Sequence, residues 1–483
     1  GGFFHRTCPQ CGLATSSDAS TGGRYVPACV PPEAVASCLH LGRCPLSIPM
    51  PEPFIDAYSR RFIYERYVAH ADETLPLPAP SGPQGDPVRE LHDQQVYLRK
   101  LVAETVAPVR IEPENPYVVH TAVPSVRGLM ANQLVLVSAG TAWRYCAATV
   151  AWHAVADPCL HPMQNGRTLL LIQSDFLVLG PKYGEFAVSL ALLDAGHLVQ
   201  GIREVALELG CDVHVTYFPG TRSDQRLRHV LLAQIDVTAL LVPEMPLMAS
   251  QETHCPVAHA LTGTEEASLW QPGPETCTLI DSICADESRE IVTQAPRLVP
   301  GRSSARRVRS SVHTSQGLAF VLGSVPEVLL SDMVRTGQWW AEDEIISVVM
   351  LVRDGNGYFV LDLDTYGAHP LGMWPLAPSA LLRHPRDSIA FEDMILAALV
   401  MVNLVPLRCE GAAAVATSIV RAGEVAQALS VTAAGVGLGA RPLKDINERR
   451  IMEVLGTDRV PMHMVVAGYP AATSLAVATR RQC

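Results

Sequence analysis

PKYGEFAVSLALLDAGHLVQGIREVALELG, residues 181–210, reads as one long helix entered through Lys182-Tyr183-Gly184. Val188, Leu192, Ala195, Val199, Ile202, Ala206 and Leu209 recur in alternating steps of four and three, which places them on one helical stripe. The pattern occurs twice. Adding 227 carries Gly184 to Gly411, Gly196 to Gly423, Gln200 to Gln427 and Gly210 to Gly437, and the stripe to Val415, Ile419, Ala422, Ala426, Leu429, Ala433 and Val436. Glycines, a glutamine and a whole apolar stripe matching at one offset without a gap point to an internal duplication. Lys182 and Tyr183 fall instead on Cys409 and Glu410, so the copies share a scaffold but not that chemistry.

The 483 residues suffice for two or three domains with substantial cores. A net charge of -11, with 18% charged and 48% hydrophobic residues, excludes a basic nucleic-acid binder. The apolar run at 395–407 is broken by Asn403 and Pro406, and the first residues lack a basic segment followed by an apolar core, so a cytoplasmic protein is expected. The 13 cysteines are an odd number scattered through apolar segments, which suits reduced thiols. Cys8 and Cys11 have the spacing of one edge of a zinc tetrahedron, but the candidate second pairs among Cys29, Cys38 and Cys44 are more loosely spaced than usual. A zinc knuckle and unmetallated loops both remain open, and no metal site is assigned.

Four regions follow from the order of signals. Residues 1–87 form an N-terminal accessory segment, with a helical pattern over 51–69 and a Pro/Gly linker at 75–87. Residues 88–242 form the first copy: helices at 88–104 and 142–156, strands at 134–139, 168–173, 212–218 and 239–242. A connector at 243–300 carries helical turns. Residues 301–483 form the second copy: helices at 326–335, 389–402 and 412–435, and strands at 345–353, 358–363 and 462–467. Asp354-Gly355-Asn356-Gly357 joins the first two of these strands as a hairpin turn, because Gly and Asn tolerate positive φ.

Several features of the second copy, in this order, resemble the nitroreductase-fold flavoproteins, and more narrowly the SagB-type dehydrogenases that oxidise azoline rings in ribosomally made peptides. They are Arg309-x-Ser311-x-His313, the 345–363 hairpin, Ala422-Gly423-x-x-x-Gln427, the Gly435-Val436-Gly437-Leu438-Gly439 loop, Leu455-Gly456, Pro461 and Gly468-Tyr469-Pro470. The resemblance covers residues 300–483 best and about 135–242 well. It implies an α+β, FMN-dependent nitroreductase-like fold, here duplicated in tandem as a pseudo-dimer, with FMN in a groove between halves. In that family Arg-x-Ser-x-Arg cradles the FMN phosphate, because a dianion needs guanidinium forks and a hydroxyl. Arg309 and Ser311 fit, His313 replaces the last arginine, and Arg480 and Arg481 match the C-terminal phosphate ligands. Leu443 and Lys444 match the position beside flavin N5 and O4. Lys182-Tyr183 matches the Lys-Tyr pair implicated in azoline oxidation, which needs a base for the α proton opposite a hydride acceptor.

The resemblance therefore implies an FMN-dependent azoline dehydrogenase of thiopeptide-like biosynthesis. Its partners would be an azoline-containing precursor peptide and a cyclodehydratase, with one flavin between the halves and no nucleic acid or membrane. The chain would stand as a pseudo-dimer or pair again as a homodimer. Two other readings stay open: an NAD(P)H-dependent nitro or quinone reductase, and a flavin-free scaffold in which both sites have decayed.

Overall fold

The computed structural model describes residues 5–7, 14–16, 96–111, 119–138, 141–147, 151–155, 167–218, 227, 230–240, 272–284, 320–321, 323–341, 344–355, 357–364, 367–383, 391–409, 412–470 and 477–478. The chain divides into two compact units, Gly1–Ile48 and Pro49–Cys483. Among the described residues the first holds only the antiparallel pair β1 (His5–Thr7) and β2 (Ala14–Ser16).

Among the described residues the second unit begins with α1 (Val96–Ala103), β3 (Pro108–Ile111) and β4 (Val119–Thr121). A six-stranded antiparallel sheet follows, made of β5 (Asn132–Ser138), β6 (Thr141–Cys146), β7 (Ala151–Val155), β8 (Leu169–Ser174), β9 (His214–Tyr217) and β10 (Val230–Asp236). Its spatial order is β7-β6-β5-β8-β10-β9. Between β8 and β9 run α2 (Phe176–Tyr183) and the 23-residue α3 (Phe186–Glu208). After α4 (Pro274–Cys284), β11 (Phe320–Val321) and α5 (Glu327–Trp340), a second sheet contains β12 (Ile346–Asp354), β13 (Gly357–Asp364), β14 (Gly367–Met373), β15 (Leu396–Val402), β16 (Gly439–Leu443) and β17 (Val460–Pro470). Its order is β14-β13-β12-β15-β17, with β16 and β11 both paired to β17. The 24-residue α6 (Ala412–Gly435) lies between β15 and β16, and α7 (Glu448–Leu455) precedes β17. β18 (Val477–Ala478) returns to pair with β3.

The two sheets have one connectivity. In each, a three-strand meander is followed by a strand beside the first of the three, then a long helix, then an outer strand and its inner neighbour. The offset of 227 carries the start of β8, Leu169, onto the start of β15, Leu396. Both long helices lie in one core with the inner faces of both sheets. They are buried on every side, because they meet a sheet on one face and each other on the next. Contact is closest at the matched glycines. A Cβ on Gly196 would lie 1.8 Å from the Val420 carbonyl oxygen, and one on Gly423 would lie 2.1 Å from that of Leu193.

Several expected elements differ. The 181–210 helix is broken: Gly184, at φ 54 and ψ -137, ends α2 and separates Lys182-Tyr183 from α3. Pro181 lies inside α2, where its missing N–H leaves the Leu177 carbonyl without an i→i−4 partner. The expected helix at 142–156 is the β6–β7 hairpin. Trp143, Tyr145 and Trp152 face the main core while Ala142 and Val155 face the opposite side, a two-residue alternation, and Tyr145 meets Trp152 edge-on at 5.4 Å. The expected helix at 389–402 contains β15, flanked on both edges and buried on both faces, with Leu396, Ala398 and Val400 inward and Ala397, Leu399 and Met401 outward. A central strand of that kind is an unbroken apolar run with no alternation to betray it. The strand expected at 239–242 lies earlier, as β10, and Thr238–Leu240 is a 3-10 turn. The helix expected at 88–104 is described over Val96–Ala103, whereas the helical pattern at 51–69 and the linker lie outside the described residues.

Candidate functional site at the helix pair

Lys182 and Tyr183 occupy the last turn of α2 and are both buried, at 9% and 8% exposure. Neither is the solvated residue that a charged helix end ordinarily supplies. Glu185, just past the Gly184 break, accepts from the Gly273 backbone N–H at 2.6 Å, so the connector before α4 is tied to the junction of α2 and α3.

Leu443 ends β16, paired with Met464 of β17. Lys444 follows and is also buried, its ammonium 3.1 Å from Glu448 Oε1 at the start of α7. Asn447 caps that helix by accepting from the Arg450 N–H. The cation is therefore held inside rather than exposed on a turn. Arg309, Ser311, His313, Arg480 and Arg481, like Cys8 and Cys11, lie outside the described residues.

The apolar-stripe reading of the long helices named Gln200 and Gln427 only as matched positions and passed over the other buried polar residues along them. Asp194, His197, Gln200, Arg203 and Glu204 of α3 are all buried. Arg203 meets Glu424 of α6 at 2.8 Å, both within 1% of full burial, and the Tyr217 hydroxyl at the end of β9 donates to the other Glu424 oxygen. Burial pushes the Glu424 carboxyl up and is opposed by Arg203 and the tyrosine hydroxyl; Arg203, in spite of its own burial, is kept charged by Tyr217 and Glu424. Further along, His197 Nδ1 lies 3.2 Å from Gln427 Oε1 and its Nε2 lies 3.0 Å from His463 Nε2, while His463 Nδ1 lies 2.8 Å from the Leu443 carbonyl oxygen. The signal was available: polar residues three or four apart along a helix that is otherwise apolar all round.

Asp194 accepts from the Val126 N–H at 2.7 Å, and burial raises its pKa from 3.8 to about 7 against the pull of that bond and of Ser125. Between those values the folded chain keeps the proton that the unfolded chain has released. Folding then takes up a proton, and stability falls as pH rises through this window, by at most about 1.4 kcal/mol per pH unit, levelling off above it. Asp194→Asn is expected to flatten that slope; urea unfolding at pH 4.5, 6 and 7.5 measures it.

No protein-family model matches this sequence, and no curated protein matches it. Solved structures do. A protein assigned as a nitroreductase from Anabaena variabilis aligns over 86% of this chain and 99% of its own, with a TM-score of 0.61 and 14% identity. A protein with the same assignment from Ralstonia eutropha covers 34% of this chain and 80% of its own, with a TM-score of 0.25 and 18% identity. An oxidoreductase described as containing FMN covers 38% and 84%, with a TM-score of 0.25 and 16% identity. The first likeness identifies the fold as α+β and nitroreductase-like. Among the described residues no helix is long and apolar enough to cross a membrane.

Proposed function

We propose that this nitroreductase-like chain is an FMN-dependent two-electron oxidoreductase, built as a tandem of two halves that together hold one flavin. The observation that carries the proposal is the repeated sheet connectivity joined at the Gly196–Gly423 crossing, which brings into one chain the two halves that such a flavin groove needs. FMN, when bound, supplies a ring that accepts or returns a hydride. Arg309, Ser311, His313, Arg480 and Arg481 would hold its phosphate. Leu443 and Lys444 would face its ring, and a buried ammonium suits the negative charge a reduced flavin carries.

A single flavin is supported by the asymmetry of the two strand ends. Subtracting 227 from Lys444 gives Tyr217, and adding 227 to His197 gives Glu424. At the β9 end, then, the pseudo-equivalent positions are locked into the buried Tyr217–Glu424–Arg203 cluster, with no lysine to offer.

The likeness in fold favours reduction of a nitro or quinone acceptor with electrons from NAD(P)H. The burial of Lys182 and Tyr183 favours a second reading, dehydrogenation of azolines in a precursor peptide delivered by a cyclodehydratase. A lysine withdrawn from water is the kind that can act as a base near neutral pH, and Tyr183 would orient the proton. In that reaction the Lys182 amine would take the ring's α proton and oxidised FMN would be the acceptor of the β-carbon hydride, so that the ring loses two hydrogens.

Protein reconstituted with FMN separates these readings. Steady NADPH oxidation with a simple quinone supports the reductase. Loss of two hydrogens per ring from an azoline peptide, abolished by Lys182→Ala with flavin still bound, selects the dehydrogenase. Failure to take up FMN rejects both and leaves the scaffold.

A further inference from the structure

The histidine pair between the halves has no part in the chemistry above, yet its geometry allows one proton arrangement among neutral rings. The Leu443 carbonyl can only accept, so His463 Nδ1, 2.8 Å away, carries a hydrogen. A neutral His463 then has a bare Nε2, and the 3.0 Å contact to His197 Nε2 needs a hydrogen from the His197 side. His197 is neutral, since burial lowers its pKa to about 4. Its Nδ1 is therefore bare and needs a donor where Gln427 Oε1 stands at 3.2 Å, which a flip of that amide supplies by exchanging oxygen and nitrogen. Hydrogen bonds run one way: Gln427 of α6 to His197 of α3, on to His463 of β17, and on to the Leu443 carbonyl of β16.

The end of that chain is where it matters. The Leu443–Lys444 peptide is planar and trans, so a carbonyl fixed toward His463 aims the Lys444 N–H the opposite way. We propose that His463, oriented by His197, is a positioning residue for the Leu443–Lys444 strand end, through which the first half's long helix sets the flavin-facing edge of the second. This rests on the reading that FMN lies at that edge.

The test uses three variants of the full chain. His463→Asn places an amide N–H where Nδ1–H was and keeps the bond to Leu443. His463→Gln reaches the Nε2 position but loses that donor, and His463→Leu loses both. With folding checked by circular dichroism, FMN affinity is expected to stay near wild type in the Asn variant and to fall about tenfold in the other two, the equivalent of one lost hydrogen bond. Deuterium exchange of the peptide segment 439–446, which needs no flavin, should quicken in the Gln and Leu variants and not in Asn. Imidazole nitrogen NMR at pH 7 should show His463 protonated on Nδ1 and His197 on Nε2. An imidazolium at either ring, one tautomer at both, or equal behaviour of the Asn and Gln variants overturns the proposal. If the wild type binds no FMN, the flavin reading fails, and exchange and tautomers still decide the positioning role.

Discussion

Gly196→Ala is expected to destabilise the chain by about 3 kcal/mol or more, at or above the upper end of ordinary overpacking. The added Cβ would stand 1.8 Å from the Val420 carbonyl oxygen and 2.8 Å from the Glu424 nitrogen. Both are main-chain atoms of a helix, so no rotamer change relieves the clash, and α3 and α6 must move apart along their contact. Gly423→Ala meets the same obstacle from the other side, at the Leu193 carbonyl oxygen and 3.1 Å from the Gly196 Cα. Gly367→Ala on β14 is the control: nothing lies within 4 Å of its Cβ position, and the change is expected to stay within about 0.5 kcal/mol. Urea midpoints of the three variants give the comparison. Equal midpoints would mean that the helices do not cross at the matched glycines.

The second large effect concerns the ion pair between the halves. Glu424→Leu leaves the Arg203 guanidinium buried beside an apolar side chain and takes the acceptor from Tyr217, at an expected cost of about 3–5 kcal/mol. Arg203→Met should cost less. Burial already raises the Glu424 carboxyl, so it can take up a proton and stay bonded to Tyr217. The double variant Arg203→Met/Glu424→Leu should recover much of the larger loss, because the main desolvation penalties vanish together. Equilibrium unfolding of the four proteins checks this; losses that simply add would show that the two groups do not interact.

These two sites also mark the limits of the sequence. The matched glycines were legible because a close helix crossing removes side chains at fixed positions, and one offset of 227 relates Gly196 to Gly423. The hairpin of β12 and β13 and the whole of α6 were legible through turn chemistry and helical period. β15 was not, since a strand buried on both faces carries no alternation, and β6–β7 was hidden by alanines that let a helical spacing be drawn through alternating aromatics. Lys182 and Lys444 drew notice as chemistry, but only tertiary packing reveals that both are buried. The polar spacing along α3 was readable, but the linkage of the histidine chain was not, because its four members come from four elements brought together by the fold alone.

Flavin content is the most direct test of the central claim that two unequal halves share one cofactor. The chain should be loaded with excess FMN, freed of unbound flavin, and measured for flavin absorbance against protein concentration. One FMN per chain is the predicted result. Two per chain would show that the Tyr217–Glu424–Arg203 end also binds flavin, and none would show that the fold has been kept without its cofactor.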